Sequence, residues 1–150
     1  MEQLTFAQQV QQFFANHTIM VFAWIALFVA VIFSFYKNAT RKYTIVDNAQ
    51  ATQLINKEEA VVIDLRSDEE FRASHIIDSI HVLPSELKAG KTHQIDKYKD
   101  RPMILVDING FTSGGVADAI AKQGFSKLYV LKEGIAGWRA ASLPTVKKHK

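Results

Sequence analysis

The 150-residue chain contains no cysteine. Disulfides, thiolate–metal sites and a cysteine nucleophile are therefore excluded. Charge is missing from one end as well: before Lys37 the only formally charged side chain is Glu2, and neither Lys nor Arg occurs there. From Lys37 onward lie 18 basic and 14 acidic residues, a net +4 too small and too dispersed to indicate nucleic acid. No internal repeat and no low-complexity tract is present. An apolar content of 48% beside 22% charged residues belongs to a folded protein, and the length suits one compact domain with an appendage. Basic residues cluster in two places, Lys37/Arg41/Lys42 and Lys147/Lys148/Lys150. Either cluster can lean on anionic lipid head groups, and the last three serve equally as a solvated tail.

The charge-free N-terminal region contains Ile19–Tyr36, IMVFAWIALFVAVIFSFY. As a helix it spans roughly 27 Å, close to the hydrocarbon thickness of a bilayer. A buried soluble helix of that length would carry a polar stripe, and this one has none. A cleaved signal peptide needs a basic start and a small-residue cleavage site. Here the start carries Glu2 and glutamines, and bulky Phe33, Phe35 and Tyr36 close the run. Residues 19–36 are expected to form a transmembrane helix, preceded by a short tail, 1–18, and followed by a basic linker, 37–42. The positive flank behind the span places the C-terminal domain in the cytoplasm and the N-terminus outside. In the tail, Phe6, Val10, Phe13 and Phe14 share one helical face, with Gln8, Gln9, Gln11 and Gln12 opposite. An interfacial helix suits this pattern, as does a helical extension of the span broken or capped at Asn16.

From Tyr43 the pattern changes to short apolar runs alternating with helical stretches. Tyr43–Val46, Ala60–Leu65, Ile80–Leu83, Met103–Val106 and Leu128–Leu131 are the expected strands. Helices are expected from an Asp47 cap through Ile55, after Ser67, after Pro84, over Ser113–Gln123 with Gly124 as its stop, and around Trp138. Continuous apolar runs such as AVVIDL and MILV fit strands covered on both faces. Residues 43–150 are therefore expected to form an α/β domain on a mainly parallel sheet. In such sheets function gathers in loops at the carboxyl ends of strands. The candidate is Asp107–Thr112, DINGFT, where Gly110 relaxes the backbone and a helix N-terminus follows, a generic arrangement for holding an anion.

Val61–Ile76, VVIDLRSDEEFRASHI, resembles the opening motif of the rhodanese-like domain family through Asp64, Arg66, Glu70, Phe71, His75 and Ile76. Where the family usually continues Pro-Gly-Ala, this chain has Ile77, Asp78 and Ser79. The tail LYVLKEGIAGWRAASLP is similar to the closing motif, with Gly134, Ile135, Trp138, Leu143 and Pro144 in place, and Gly124-Phe125 matches the approach to the last strand. The resemblance covers about Tyr43 to Val146. With the preceding span, it implies the membrane-anchored, single-domain type found in bacterial inner membranes. The fold it implies is a mainly parallel sheet with helices on both faces.

The family's active loop runs Cys-x-x-Gly-x-Arg-Ser. Matching Gly110 and Ser113 puts Asp107 at the cysteine position and Thr112 where arginine is common. Sliding Ser113 onto the cysteine would leave the glycine unmatched and shorten the helix before Gly124. A carboxylate cannot form a persulfide, but it can accept the loop N–H groups and plug the anion cradle from within. The degenerate site is thus Asp107, Gly110, Thr112 and Ser113, with no catalytic residue among them. VDINGFT is distantly similar to aspartyl phosphotransferases, yet Asn109 stands where their second Asp acts as general acid. Phosphatases of the rhodanese fold need a cysteine and an arginine. Asp64 and Arg66 are expected to tie a strand end to a turn, Glu70 to belong to the acidic turn, His75 to order its own loop, and Trp138 to pack. With His81, His93 and His149 scattered, no metal-ligand set and no cofactor site is indicated. The expected function is a non-catalytic interaction module whose partners are lipids, through the span, and other membrane proteins. Neither nucleic acid nor a small-molecule substrate is indicated. The alternative is an enzyme, either a sulfur-relay component using a partner's cysteine or an unrecognised hydrolase.

Overall fold

A computed structural model describes residues 3–148, so Glu2, His149 and Lys150 lie outside the described residues. The chain divides into two units, Met1–Arg41 and Lys42–Lys150. In the first, helix α1 covers Phe6–Asn16 and helix α2 covers Thr18–Thr40. Thr5 and Gln8 form a reciprocal capping box that starts α1, and the break falls at His17, one residue past Asn16, with φ −123° and ψ 34°. Helix α2 is long and apolar enough to cross a membrane, and none of its residues is buried. It runs past the expected end at Tyr36, so Lys37–Thr40 form its last turn rather than linker. Two local effects favour this: Lys37 sits where the helix dipole welcomes a cation, and Thr40 Oγ1 donates back to the Tyr36 carbonyl at 2.9 Å.

The second unit is α/β, with a five-stranded sheet in the order β1-β5-β4-β2-β3. Its elements are β1 Thr44–Val46, α3 Asn48–Glu58, β2 Val61–Asp64, α4 Asp68–Ala73, β3 Ile80–His81, α5 Pro84–Lys88, β4 Met103–Val106, α6 Ser113–Ala121, β5 Leu128–Leu131 and α7 Gly134–Ala140. Every strand pairing is parallel. A 3-10 turn at Asp96–Tyr98, which no sequence signal announced, fills the connection into β4. Strand β3 is half its expected length because Pro84 begins α5 at once, although the Val82 N–H still reaches the Asp64 carbonyl at 3.1 Å.

Two core clusters divide the strand residues by parity, as the alternation of side chains across a sheet demands. Val61, Ile63, Met103, Leu105, Leu128 and Val130 meet Leu87 of α5 and Val116 and Ile120 of α6. Val62, Ile104, Val106 and Leu131 meet Ala51 of α3 and Ile135 and Trp138 of α7. Helices therefore cover both faces. Asp47 with Gln50, and Ser67 with Glu70, form capping boxes that start α3 and α4. The central strands β2 and β4 end side by side, with Asp64 opposite Val106, and bring the turn after Asp64 next to Asp107.

Candidate functional site

Helix α6 has no side-chain cap of its own. Its first N–H groups go instead to Asp107, six residues upstream at the end of β4. One carboxylate oxygen, Oδ2, accepts from Thr112 N at 2.6 Å and from Ser113 N at 3.0 Å, while Oδ1 accepts from Gly110 N. A carboxylate at a helix N-terminus completes N–H groups that would otherwise be unpaired and sits at the positive end of the dipole. Asp107 is 5% exposed, so this is an internal anion rather than a surface one.

The loop's curve has steric causes. Gly110 has φ +93°, and a Cβ there would fall 2.0 Å from the Lys132 carbonyl oxygen. Gly134, φ +58°, would put a Cβ 2.5 Å from the Asp107 carbonyl oxygen. The start of α7 is thus pressed against the loop, with Ile135 N donating to Asp107 O at 2.9 Å and Ala136 N to Ile108 O at 3.0 Å. Both faces of the loop are held by backbone. Ser113 is fully buried, and its Oγ is without a hydrogen-bond partner among the described residues.

A cup of about 280 Å³ opens beside this loop, lined among others by Arg66, Ser67, Glu70, Asp107, Asn109 and Thr112. Arg66 is buried, and two of its three guanidinium nitrogens are bonded. Its Nε donates to Asp64 Oδ1 at 3.0 Å, and one terminal nitrogen donates to Asp64 Oδ2 at 2.7 Å and to the Ser74 carbonyl at 2.6 Å. The guanidinium joins the end of β2 to the end of α4, paired with Asp64 at the wall of the cup. Glu70, exposed at the start of α4, receives the Ser67 hydroxyl at 2.8 Å and the Ser67 N–H at 3.1 Å on Oε2. The hydroxyl bond first, then the backbone bond, holds its carboxyl below the ordinary glutamate range.

The other singled-out residues lie elsewhere. His75 Nδ1 sits 2.7 Å from the Phe71 carbonyl, its ring stacks on Phe71 at 4.0 Å, and its backbone pairs with Val146 in an isolated antiparallel bridge. Trp138 is buried and donates from Nε1 to the Pro144 carbonyl at 3.0 Å, lining a separate cavity of about 730 Å³ that contains no residue of the Asp107 loop. His81, which the sequence left among scattered histidines, has Nε2 2.6 Å from the Arg66 carbonyl and stacks on Phe71 at 5.1 Å. No group of His, Asp and Glu side chains suited to a metal ion occurs among the described residues. Lys132 carried no motif signal, because its contribution to the site is a backbone oxygen.

A parallel sheet with helices on both faces, and a strand–loop–helix turn that gathers N–H groups around one side chain, define the class. The profile of the rhodanese-like domain matches residues 47–141, and the chain belongs to that family. It is 46% identical over 140 residues to the protein YibN of Escherichia coli strain K12, covering 93% of this chain and 98% of that one. It is also 33% identical over 94 residues to the thiosulfate sulfurtransferase GlpE of Pseudoalteromonas translucida, covering 62% of this chain and 86% of that one. The crystal structure of a rhodanese-related protein from Thermoplasma volcanium superimposes with a TM-score of 0.62 at 22% identity, covering 71% of this chain and all of that one, and so shares the fold. Within this family the chain has no cysteine to carry sulfur.

Proposed function

We propose that this chain is a binding module of the rhodanese-like family, without sulfurtransferase chemistry of its own, tethered to the cytoplasmic face of a bacterial inner membrane. The observation that carries the proposal is the carboxylate of Asp107. It occupies the N–H groups of Gly110, Thr112 and Ser113 that would otherwise stabilise a bound anion or persulfide. With Asp107 in the nucleophile's position the loop holds no sulfur, and with Thr112 in place of arginine the loop itself supplies no cation to thiosulfate, while the nearby Arg66 is paired with Asp64. The loop keeps its shape and loses its chemistry. Full-length protein in detergent is expected to transfer no sulfur from thiosulfate to cyanide above a buffer blank. Robust turnover by a preparation free of other sulfurtransferases would overturn the proposal. A relay that borrows a partner's cysteine draws support from the likeness to GlpE, and would appear as turnover only when a thiol protein is added.

Tethering rests on α2, with its uncovered apolar surface, and orientation rests on Lys37, Arg41 and Lys42 at its end. Bulky Phe33, Phe35 and Tyr36 disfavour a signal-peptidase site. A reporter fused after Lys150 is expected to be active in the cytoplasm, on a chain of unchanged size. Periplasmic activity, or loss of the first thirty-odd residues, would reverse the orientation or remove the anchor. Held at the membrane, the domain meets other membrane proteins at raised effective concentration. Cross-linking of the full-length chain in its native membrane, followed by mass spectrometry, identifies them.

A further inference from the structure

Within the second unit Phe111 is the most exposed of the large apolar residues, at 87%, and Ile108 on the same loop is 52% exposed. Apolar side chains at a flexible tip lose entropy when they dock. These two stand on backbone already held by Asp107 below, by the Lys132 carbonyl against Gly110, and by the start of α7 against Ile108. A rigid aromatic anchor beside a pocket is the usual core of a protein-binding patch.

The adjoining cup carries a sign. Its arginine is cancelled by Asp64, and Asp107 is met by three backbone N–H groups. That leaves Glu70, fixed at the cup by two bonds that both fall on Oε2, so that Oε1 stays available to a ligand. Asp68, in the same turn, is paired with Arg72 at 2.6 Å. The charges of Arg66 and then Arg139 on α7 act on Glu70 less than its bonds to Ser67 do. A cup that would hold an anion if Asp107 were neutral and Arg66 free is, in this chain, suited to a cation.

We propose that the cup takes a lysine or arginine side chain from a cytoplasmic juxtamembrane segment of another membrane protein, while Phe111 and Ile108 pack on the apolar residues beside that cation. This occupant rests on the binding-module reading and states its partner's chemistry. Segments just inside the membrane carry an excess of Lys and Arg next to apolar spans, which matches a carboxylate flanked by exposed apolar side chains.

The test uses the full chain in nanodiscs of zwitterionic lipid and two fluorophore-labelled peptides, acetyl-Leu-Arg-Leu-Arg-Leu amide and its glutamate counterpart. Fluorescence anisotropy, corrected with empty nanodiscs, is expected to show binding of the arginine peptide alone. Its affinity is expected to fall about tenfold in Glu70→Gln and again in Phe111→Ser, a change of about 1.4 kcal/mol for each tenfold step. Glutamine still serves at the third helical position of a capping box, so Glu70→Gln removes the charge and leaves the start of α4 intact. Equal binding of both peptides, no binding of either, or an arginine-peptide affinity untouched by both substitutions overturns the cation cup. A photo-cross-linker at position 111, in native membranes, separates this from the broader proposal. Adducts to a membrane protein that persist in Glu70→Gln leave the module standing and remove the cation cup. Absence of any protein adduct, there and at exposed control positions, removes both.

Discussion

Arg66→Ala is expected to destabilise the domain formed by residues 42–150 by about 3–5 kcal/mol, because it strands a buried carboxylate. Both side chains of the Asp64–Arg66 pair are 2% exposed, and the guanidinium also satisfies the Ser74 carbonyl at the end of α4. Removing the cation leaves the buried Asp64 carboxylate with only the backbone N–H of residue 66, which it accepts at 3.0 Å, and releases the side-chain tie from β2 to the end of α4. Both core clusters lie wholly within residues 42–150, so urea unfolding of that unit reports the effect directly. The midpoint should drop with the slope unchanged, since the surface exposed on unfolding is the same. Asp64→Leu combined with Arg66→Met should recover most of the loss, because an apolar pair of similar volume needs no ion solvation. A loss below about 1 kcal/mol for Arg66→Ala would mean that water reaches Asp64 and that the pair behaves as a surface ion pair.

Asp107→Cys is expected to create a thiol far more reactive at neutral pH than the one made by Ser113→Cys. The sulfur in the first variant lies where the Asp107 carboxylate now accepts the N–H groups of Gly110, Thr112 and Ser113 at the N-terminus of α6. Those groups stabilise a thiolate, so its pKa should fall below the unperturbed value of about 8.5, and the cup gives a reagent access. Ser113 is fully buried, and a cysteine there should be slow to react and harder to ionise. The measurement is the rate of alkylation by iodoacetamide against pH for both variants. If Ser113→Cys shows the lower pKa and the faster reaction, Asp107 does not hold the nucleophile's position, and the slid register is correct. Sulfur transfer by Asp107→Cys should still be poor, since Thr112 supplies no positive charge for an anionic donor.

Those two substitutions probe features of different legibility. The Asp64–Arg66 tie is short-range: the residues are two apart, and the motif around them pointed to a strand end bonded to a turn. Strands β4 and β5 coincide with MILV and LYVL because continuous apolar runs bounded by polar turns have no other place than the middle of a covered parallel sheet. The capping residues Asp47 and Ser67 were equally visible, since a cap acts over three residues. Where the sequence misled, competing local effects were the reason. Helix α2 continued to Thr40 because lysine, alanine and a back-bonding threonine sustain a helix after its apolar run ends. Strand β3 was cut short by a proline that starts the next helix sooner than the apolar pattern suggests.

The loop itself required the assembled domain. Gly110 signals freedom of backbone, but the need for it comes from the Lys132 carbonyl, a contact across β4 and β5 that no local pattern encodes. Gly134 likewise belongs to a recognisable motif, while its closeness to Asp107 depends on how α7 docks. The exposure of Phe111, the pairing of His81 with the Arg66 carbonyl and the gathering of Arg66, Glu70 and Asp107 around one cup are all results of that packing. By itself the sequence determined the absence of thiol chemistry, the apolar helix with its one-sided basic flank, and the alternation of elements that makes a parallel sheet. Each of these depends on residue type or on spacings within a few residues. Only the tertiary structure decided what surrounds the Asp107 loop, because the Lys132 carbonyl and the first N–H groups of α7 reach it from a segment some twenty residues away, and a backbone group has no letter in a sequence.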